Sequence, residues 1–329
     1  MRLFLPGAGN KINHIRNFME VPGVSRVIIS DVYPWSYGAF VADAAYQTPP
    51  FSAPEFLDAL DGIYRRDPFD VCIPIHDASL RLFSDLQTGT RRYPFILAMN
   101  PPETVDVIAD KVRTYEFCVS HDLPTLRLWT LHDFLALGQY AYPYYLKPRH
   151  INLRGTSRAL FMAIEDAHDL TYATEKLRGR EADFVVQEHA TGAAINADFF
   201  CDREGTVKSV VAVKRLAMGA SRGISRGEIL FDSGLRPYVE RIAAHLKLWG
   251  ANQVQFYVDG DGQPKILEIN GRFSGSSAFV KAAGVNYFEY FIKLLRGEHF
   301  DILEEPAPLN MTSWESPHFY AESALQALT

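Results

Sequence analysis

The sequence predicts an α/β domain at the N-terminus, followed by a region of α+β structure. Through roughly the first ninety residues, short β-rich runs alternate with helical patterns, which is typical of an open parallel sheet. Beyond residue 184 the chain is rich in strands and includes a hairpin with strongly β-forming arms. The chain has 329 residues, of which 47% are hydrophobic and 22% are charged. This is enough for two or three domains with cores of their own.

The N-terminal elements come in strand–helix order. Strands are predicted at residues 3–5, 26–30 and 71–75, and helices at residues 10–20 and 54–66. Gly7 and Gly9 follow the first strand and Asp31 follows the second, as in a dinucleotide-binding fingerprint. Ile12 stands in place of the third glycine, which favours a tight strand–helix turn. A nicotinamide site at Gly7, Gly9 and Asp31 is the alternative.

Asp77 follows the strand predicted at residues 71–75. The carboxyl ends of strands are where open α/β sheets bind ligands, so Asp77 is a candidate substrate contact. An N-cap at the start of a helix is the alternative, because an aspartate oxygen commonly accepts from the first free N–H groups of a helix.

The middle of the chain carries a lysine at the end of a strand. The predicted elements are a helix at 101–115, a strand at 144–147, a polar loop at 148–158, a strand at 159–162, a helix at 166–177 and a strand at 184–188. Lys147 ends its strand and precedes Pro148, Arg149 and a loop with several small residues. This is one way to hold a polyphosphate, because the ammonium and the loop amides bind different oxygens.

A serine motif lies further on. Residues 219–223 match the GxSxG pattern of hydrolase nucleophile elbows, in which a helix follows the serine. Residues 224–228 begin a helix poorly, so we interpret the segment as a mobile loop that closes over an anion through Lys214, Arg215 and Arg222. A serine hydrolase at Ser221 is the alternative. Helices are predicted at 235–249 and 286–296, on either side of the hairpin.

The hairpin carries the most informative polar side chains. In both arms apolar and polar residues alternate, so Gln255 in the first arm, and Glu268 and Asn270 in the second, point away from the core. One carboxylate and two amide oxygens suit Mg²⁺ carrying phosphates. Arg272, just past the second arm, has the guanidinium fork that binds phosphate oxygens. A half-exposed hairpin with a polar face is the alternative.

Composition argues against several functions. A net charge of -6 and a pI of 5.9 disfavour a dedicated nucleic-acid-binding protein, since affinity for a phosphate backbone depends on clustered Lys and Arg. Cys72, Cys118 and Cys201 are odd in number and far apart, which predicts neither a disulfide framework nor a CxxC-type zinc site. No apolar run reaches about 18 residues. We expect a soluble cytoplasmic protein with no membrane partner.

Taken in order, five segments resemble motifs of the ATP-grasp superfamily, most closely its carbamoyl phosphate synthetase large-subunit-like branch. They are the strand end before Asp77, Asp110-Lys111, Lys147-Pro148-Arg149, Val185-Val186-Gln187-Glu188, and the hairpin with Glu268-Ile269-Asn270-Gly271-Arg272-Phe273-Ser274-Gly275-Ser276. The resemblance implies an N-terminal Rossmann-like pre-ATP-grasp domain followed by a two-lobed ATP-grasp fold. The expected boundaries are 1–100 for the first domain, 101–186 for the N-terminal lobe, and 187–329 for the C-terminal lobe and tail.

The resemblance also implies roles for site residues. Those implied for ATP are Lys111, Lys147, Gln187, Glu188 and His189, and those for Mg²⁺, or for Mn²⁺ in its place, are Gln255, Glu268 and Asn270. The catalytic candidates are Arg272, expected on the transferred phosphoryl group, and Arg215. The candidates for substrate contact are Asp77 and Arg222.

The activity that the resemblance implies is ligation of a small carboxylate to a small amine. The carboxylate attacks ATP to give an acylphosphate and ADP, and the amine then displaces phosphate. A homodimer is one assembly left open. Two departures matter: residues 150–153 are bulky where the phosphate-covering loop is usually glycine-rich, and Ala194 stands near the position of an acidic ribose contact. They leave a non-catalytic ATP-binding protein as an alternative.

Overall fold

The computed structural model describes residues 1–89, 92–150, 161–219, 224–231, 233–302, 305–313 and 318–321. The chain divides into two compact units. The first unit contains Met1–Val105, Asn196–Gln253 and Asn270–Thr329, and the second contains Asp106–Ile195 and Val254–Ile269. Each unit is therefore built from separate stretches of sequence. The division into three consecutive domains remains a prediction.

The first unit begins with an open parallel sheet. Its elements are β1 (Arg2–Pro6), α1 (Ile12–Met19), β2 (Arg26–Asp31), β3 (Ala44–Gln47), α2 (Phe56–Arg66), β4 (Val71–Cys72), α3 (Asp77–Thr88) and β5 (Ile96–Leu97). The strand order is β3-β2-β1-β4-β5, and each neighbouring pair is parallel. The order reverses between β1 and β4, whose carboxyl ends therefore form the switch point where such sheets bind ligands.

Burial explains why this sheet forms. Leu3, Phe4 and Leu5 in β1 are fully buried, and so is Ile28 in β2, as expected for a parallel sheet covered on both faces. Phe18 of helix α1 packs against two aromatic rings from the C-terminal part of the chain. The centroid of the Phe18 ring lies 5.2 Å from that of Phe273 and 5.0 Å from that of Phe288. The segment around residue 273 is thereby packed into the core of the first unit.

The second unit contains an antiparallel sheet. The elements of this part of the chain are α4 (Pro102–Ile108), α5 (Lys111–Ser120), β6 (Leu128–Thr130), α6 (Leu131–Ala136), β7 (Tyr144–Pro148), β8 (Met162–Ile164), α7 (Ala167–Lys176) and β9 (Phe184–Glu188). The strand order is β6-β9-β7-β8. Phe134, Leu146, Leu170 and Val186 belong to its core, which brings α6 and α7 against the sheet.

The remaining elements form a third sheet and its helices. They are β10 (Ala193–Cys201), β11 (Val207–Met218), β12 (Ile224–Leu230), α8 (Arg236–Leu246), β13 (Gly250–Val258), β14 (Pro264–Asn270), α9 (Ser277–Ala282), α10 (Tyr287–Arg296) and β15 (Asn310–Thr312). The strand order is β14-β13-β10-β11-β12-β15. The boundaries between the two units fall within β10, β13 and β14.

The structure corrects several predicted elements. The helix predicted at 101–115 is divided into α4 and α5, because Asp110 has an extended backbone and caps α5 by accepting from the N–H of Val112. The helix predicted at 235–249 ends at Leu246, because Lys247 adopts a left-handed φ of 51°. Residues 224–228, predicted as part of a loop, belong to β12, which pairs with β11 and β15. Helices α3 and α9 were not predicted.

No helix within the described residues is long and apolar enough to span a membrane.

Candidate nucleotide and metal site

A buried lysine occupies the middle of the second unit's sheet. Lys147 on β7 is 5% exposed, and its Nζ donates to Oε1 of Gln187 at 2.6 Å. In the ladder Lys147 lies opposite Val185, so Gln187 is its diagonal neighbour on β9. Burial, helped by the charge of Lys111, lowers the pKa of Lys147 to about 7, while Glu268 opposes the shift. An ammonium with a neutral hydrogen-bond partner is suited to an anionic ligand.

Lys111 is held near this strand by an ion pair. Arg149 donates from Nε to Asp110 Oδ1 at 2.9 Å and from the second terminal nitrogen to Oδ2 at 2.7 Å. The backbone N–H of Lys111 also donates to the carbonyl of Arg149 at 3.2 Å. Burial opposes ionisation of Asp110, but the bonds from Arg149 and Val112 outweigh it and hold the pKa of Asp110 below its ordinary value. Two motifs far apart in sequence are thus brought together.

The segment predicted to contact adenine lies at the end of β9. Gln187 is buried, and Glu188 forms ion pairs with Lys265 at 3.1 Å and Arg127 at 3.9 Å. The ring of His189 stacks on Tyr145, with centroids 5.3 Å apart and planes at 21°. These neighbours give the segment a flat aromatic surface and a paired carboxylate. Stacking on a planar base is the chemistry that such a surface supports.

The hairpin has the predicted alternation in part. Val254 and Phe256 on β13 are fully buried and Gln255 is half-buried, as the pattern requires. On β14, Glu268 is half-buried, whereas Asn270 is buried. Glu268 and Asn270 are two residues apart on one strand and therefore share a face. Their carboxylate and amide oxygens are the donor types that Mg²⁺ prefers, so this pair fits the ion that the sequence predicts.

Arg272 and Asp77 form a direct pair within the first unit. Nε of Arg272 donates to Asp77 Oδ1 at 2.6 Å, and a second N–H donates to Oδ2. The other terminal nitrogen donates to the carbonyl of Phe273 at 3.1 Å. Burial opposes ionisation of Asp77, but the charge and bonds of Arg272 outweigh it and lower the pKa of Asp77. A predicted catalytic residue and a predicted substrate contact therefore bind each other.

The N-cap alternative for Asp77 is wrong by one residue. His76 is the N-cap of α3 and accepts from the N–H of Ala78 through Nδ1 at 3.1 Å, while Asp77 is the first helical residue. Asp77 is therefore at the switch point of the parallel sheet, with its carboxylate engaged by Arg272.

Sequence reasoning missed Asp198 on β10. It is 1% exposed and accepts from the hydroxyls of Ser274 and Ser276 and from Nε2 of Gln253. Burial raises its pKa to about 6, against the effect of these hydrogen bonds. Two signals were available in the sequence: a carboxylate inside the apolar run of residues 195–201, and the cluster of serines after Arg272.

The glycine turn of β1 uses Asp31 internally. Asp31 accepts from the N–H of Gly9 at 3.0 Å and from that of Tyr33 at 3.1 Å. A Cβ at Gly9 would lie 2.2 Å from Asp31 Oδ2, so only glycine fits there. Gly7 has a φ of 68°, which also favours glycine. These contacts account for both glycines as parts of a tight turn.

Other sequence candidates fall elsewhere. Arg215 is half-buried on β11, opposite Gly227 of β12. Residues 224–230 form β12, whereas a nucleophile elbow needs a helix after its serine. Arg222, Ser221 and the loop at 151–158 lie outside the described residues.

The fold is shared with ATP-grasp structures. N5-carboxyaminoimidazole synthetase from Staphylococcus aureus, complexed with ADP, is 14% identical with a TM-score of 0.69; the match covers 92% of this chain and 79% of that chain. L-amino acid ligase from Bacillus licheniformis is 17% identical with a TM-score of 0.65, covering 92% and 75%. A biotin carboxylase–ATP complex from Campylobacter jejuni is 16% identical with a TM-score of 0.68, covering 91% and 71%.

The structure has the ATP-grasp fold with a preceding α/β domain. Within that class, residues 180–317 match the model of a family described as ATP-grasp in the biosynthetic pathway with Ter operon. A search of curated proteins finds no match. The predicted fold class is confirmed, and the family model that matches residues 180–317 agrees with the predicted resemblance to ATP-grasp proteins.

Proposed function

We propose that this protein is an ATP-dependent carboxylate–amine ligase. A carboxylate oxygen of one substrate attacks the γ-phosphorus of ATP, the bond between that phosphorus and the bridging oxygen of ADP breaks, and an acylphosphate forms. The amine of a second substrate then attacks the acyl carbon, phosphate leaves with the bonding electrons, and the ammonium loses a proton. The products are an amide, ADP and phosphate.

The observation that carries the proposal is the buried Lys147. Its ammonium has a neutral partner in Gln187 and a second cation, Lys111, nearby. Placing two lysines together is unfavourable unless a polyanion offsets their charge. In the proposal, Lys111 and Lys147 bind the phosphates of ATP, and Gln187, Glu188 and His189 bind adenine.

The remaining residues act on the transferred group. Gln255, Glu268 and Asn270 hold Mg²⁺, or Mn²⁺ in its place, which neutralises charge on the triphosphate. Arg272 stabilises charge that develops on the phosphoryl group. Arg215 assists it, and Asp77 and Arg222 contact substrate. Because Arg272 is held by Asp77, a substrate group that binds Asp77 would also change the surroundings of Arg272.

The structural neighbours support the class and leave the substrates open. They include a synthetase complexed with ADP, an amino acid ligase, and a 2-oxoglutarate carboxylase domain from Hydrogenobacter thermophilus with MgADP and bicarbonate. Two of these names include ADP or MgADP, one includes bicarbonate, and one describes a ligase of amino acids. The proposed cytoplasmic, small-molecule ligase is in keeping with them.

The test is substrate-dependent release of ADP across panels of amino acids and small carboxylates. Hydroxylamine is added to trap the acylphosphate as a hydroxamate. We expect ADP and hydroxamate to form in the presence of one carboxylate without any amine. ADP release without hydroxamate would contradict the acylphosphate.

A non-catalytic ATP-binding protein is the second candidate, and the Asp77–Arg272 pair favours it. In that case the arginine expected at the transferred group is neutralised permanently. Calorimetry would then show binding of MgATP, while the panels above would release no ADP.

A further inference from the structure

Asp198 starts a chain of hydrogen bonds with a fixed direction. An ionised carboxylate only accepts hydrogen bonds, so Gln253 turns its NH₂ group towards Asp198, with Nε2 3.3 Å from Oδ2. The same nitrogen donates to the hydroxyl of Ser276 at 2.9 Å, and that hydroxyl in turn donates to Asp198 at 2.6 Å. The orientation of the Gln253 amide is therefore set by the carboxylate.

The direction passes from Gln253 to Asn270. Since its nitrogen faces Asp198, Gln253 offers its oxygen on the other side, where it accepts from Nδ2 of Asn270 at 3.4 Å. Asn270 then presents Oδ1 away from Gln253, and this oxygen accepts from Arg272 at 3.3 Å. Asp198, Gln253 and Asn270 are all at least 95% buried, so water competes little for these bonds.

Direction matters because an amide binds a cation through its oxygen alone. Half a turn about the last side-chain bond exchanges the oxygen and nitrogen of Asn270 in nearly the same volume. The side chain by itself has no preference between the two states. A neighbour that accepts only from the nitrogen removes the wrong state.

We propose that Asp198 is a positioning residue which, through Gln253, keeps the oxygen of Asn270 available to the metal ion. Asp198 touches neither the ion nor the substrate in this proposal. The inference rests on the proposed function, because it requires Asn270 to bind the metal.

The experiment measures binding of Mn²⁺ to the ATP complex by electron paramagnetic resonance. Variants D198N, N270D and the double variant are compared with the unaltered protein. An asparagine at 198 can turn its own NH₂ towards Gln253, which lets both amides flip. We expect D198N to weaken Mn²⁺ about tenfold, the lower end of the range for residues that support metal ligands.

The N270D background separates positioning from general damage. A carboxylate has two equivalent oxygens and no wrong orientation, so D198N should change Mn²⁺ affinity by less than about twofold in that background. An equal loss in both backgrounds, or no loss in either, overturns the inference. If D198N does not fold, S276A replaces it, since Ser276 links Asp198 to Gln253. The same dependence on background is then expected, with a smaller loss.

The matched control is D202N. Asp202 lies just past β10 in a turn, where it accepts from Glu204 and Thr206 and pairs with Lys208 at 2.9 Å. The D202N substitution removes one carboxylate from the same part of the chain and leaves the hydrogen bonds of Gln253 in place. We expect D202N to bind Mn²⁺ with the affinity of the unaltered protein. If the unaltered protein shows no metal-dependent binding of ATP, the proposed function itself is overturned. If the unaltered protein binds ATP and metal as expected, but D198N weakens Mn²⁺ equally with asparagine or aspartate at position 270, this inference alone is overturned.

Discussion

Two clusters of the molecule, one around Lys147 in the second unit and one around Asp77 and Asp198 in the first, treat buried charge in opposite ways. The ammonium of Lys147 donates to a neutral amide, and burial, helped by the charge of a second lysine, lowers its pKa. In the first unit, Arg272 is matched by Asp77, and Asp198 is surrounded by hydroxyl and amide donors. Because burying an unmatched charge is costly, the cluster around Lys147 is the one suited to an anionic ligand. The charged groups around Asp77 and Asp198 already bind one another or their neighbours.

The largest effect expected concerns Glu268, the carboxylate of the proposed metal site. E268A should lower substrate-dependent ADP release by about a thousandfold or more, because charge on the triphosphate is no longer neutralised. E240A is the control, since Glu240 pairs only with Arg236 at the surface of α8. If E268A released ADP as fast as the unaltered protein, the assignment of Glu268 to the metal site would be wrong.

The matched charges of the first unit should matter for stability. D77N leaves Arg272 without its carboxylate, and we expect the free energy of unfolding to fall by about 2 kcal/mol, between the values for exposed and for buried pairs, because both side chains are partly buried. E240Q breaks an exposed pair and should cost less than about 1 kcal/mol. Urea denaturation measures both. Equal effects would mean that the Asp77–Arg272 pair is no more important to the fold than a surface ion pair.

His14 in α1 predicts acid sensitivity of the first unit. Burial lowers its pKa to about 3, helped by the charges of Lys11 and Arg272, against a hydrogen bond with the Ser274 backbone. The unfolded chain takes up the proton near pH 6.5, so this contribution is complete above pH 6.5 and is lost as the pH falls towards 3. At pH 5 the loss is about 2 kcal/mol.

The measurement is urea denaturation of the unaltered protein and H14Q between pH 7 and pH 5. We expect the fall in the free energy of unfolding between pH 7 and pH 5 to be about 2 kcal/mol larger in the unaltered protein than in H14Q. If the free energy of unfolding falls equally with pH in both proteins, His14 is not the cause of the acid sensitivity.

The unmatched Lys147 predicts a pH dependence of ATP affinity. Without ligand its pKa is about 7, and a bound triphosphate raises it, so above pH 7 binding must take up a proton. Affinity should then fall by up to tenfold for each pH unit above 7. The affinity of K147R for ATP should not fall with pH in this way, because arginine stays charged.

Calorimetry in two buffers of different ionisation enthalpy measures the proton uptake directly. Binding of ATP to the unaltered protein at pH 8 with no proton uptake would show that Lys147 is already charged or lies away from the phosphates.

Much of the fold could be predicted from local pattern. The strand at 184–188 has the predicted bounds, and the hairpin arms and the N-terminal alternation are where they were expected. Local pattern failed where one residue ended an element. Asp110 divides a helix by capping the next one, and Lys247 ends another through a left-handed backbone. Such breaks depend on single conformations that hydrophobic periodicity does not record.

The candidate site was predicted as a set of residue types, and its pairings were not. Sequence spacing and resemblance supplied Lys147, Gln187, Asn270 and Arg272, yet gave no hint that the first two bind each other. Asp198 was missed because it belongs to no recognised motif, and its serine partners lie 76 and 78 residues further along the chain.

Sequence pattern alone was enough to predict most of the strands and helices and the order of the motifs, because side-chain periodicity follows from the geometry of a single strand or helix. Only the tertiary structure decided that Arg272 binds Asp77, 195 residues away, and that Asp198 binds Ser274, 76 residues away. A partner at such a distance is chosen by which strands become neighbours and how deeply each is buried. Burial in turn decides which charges bind an opposite charge, as at Arg272, and which bind a neutral group, as at Lys147.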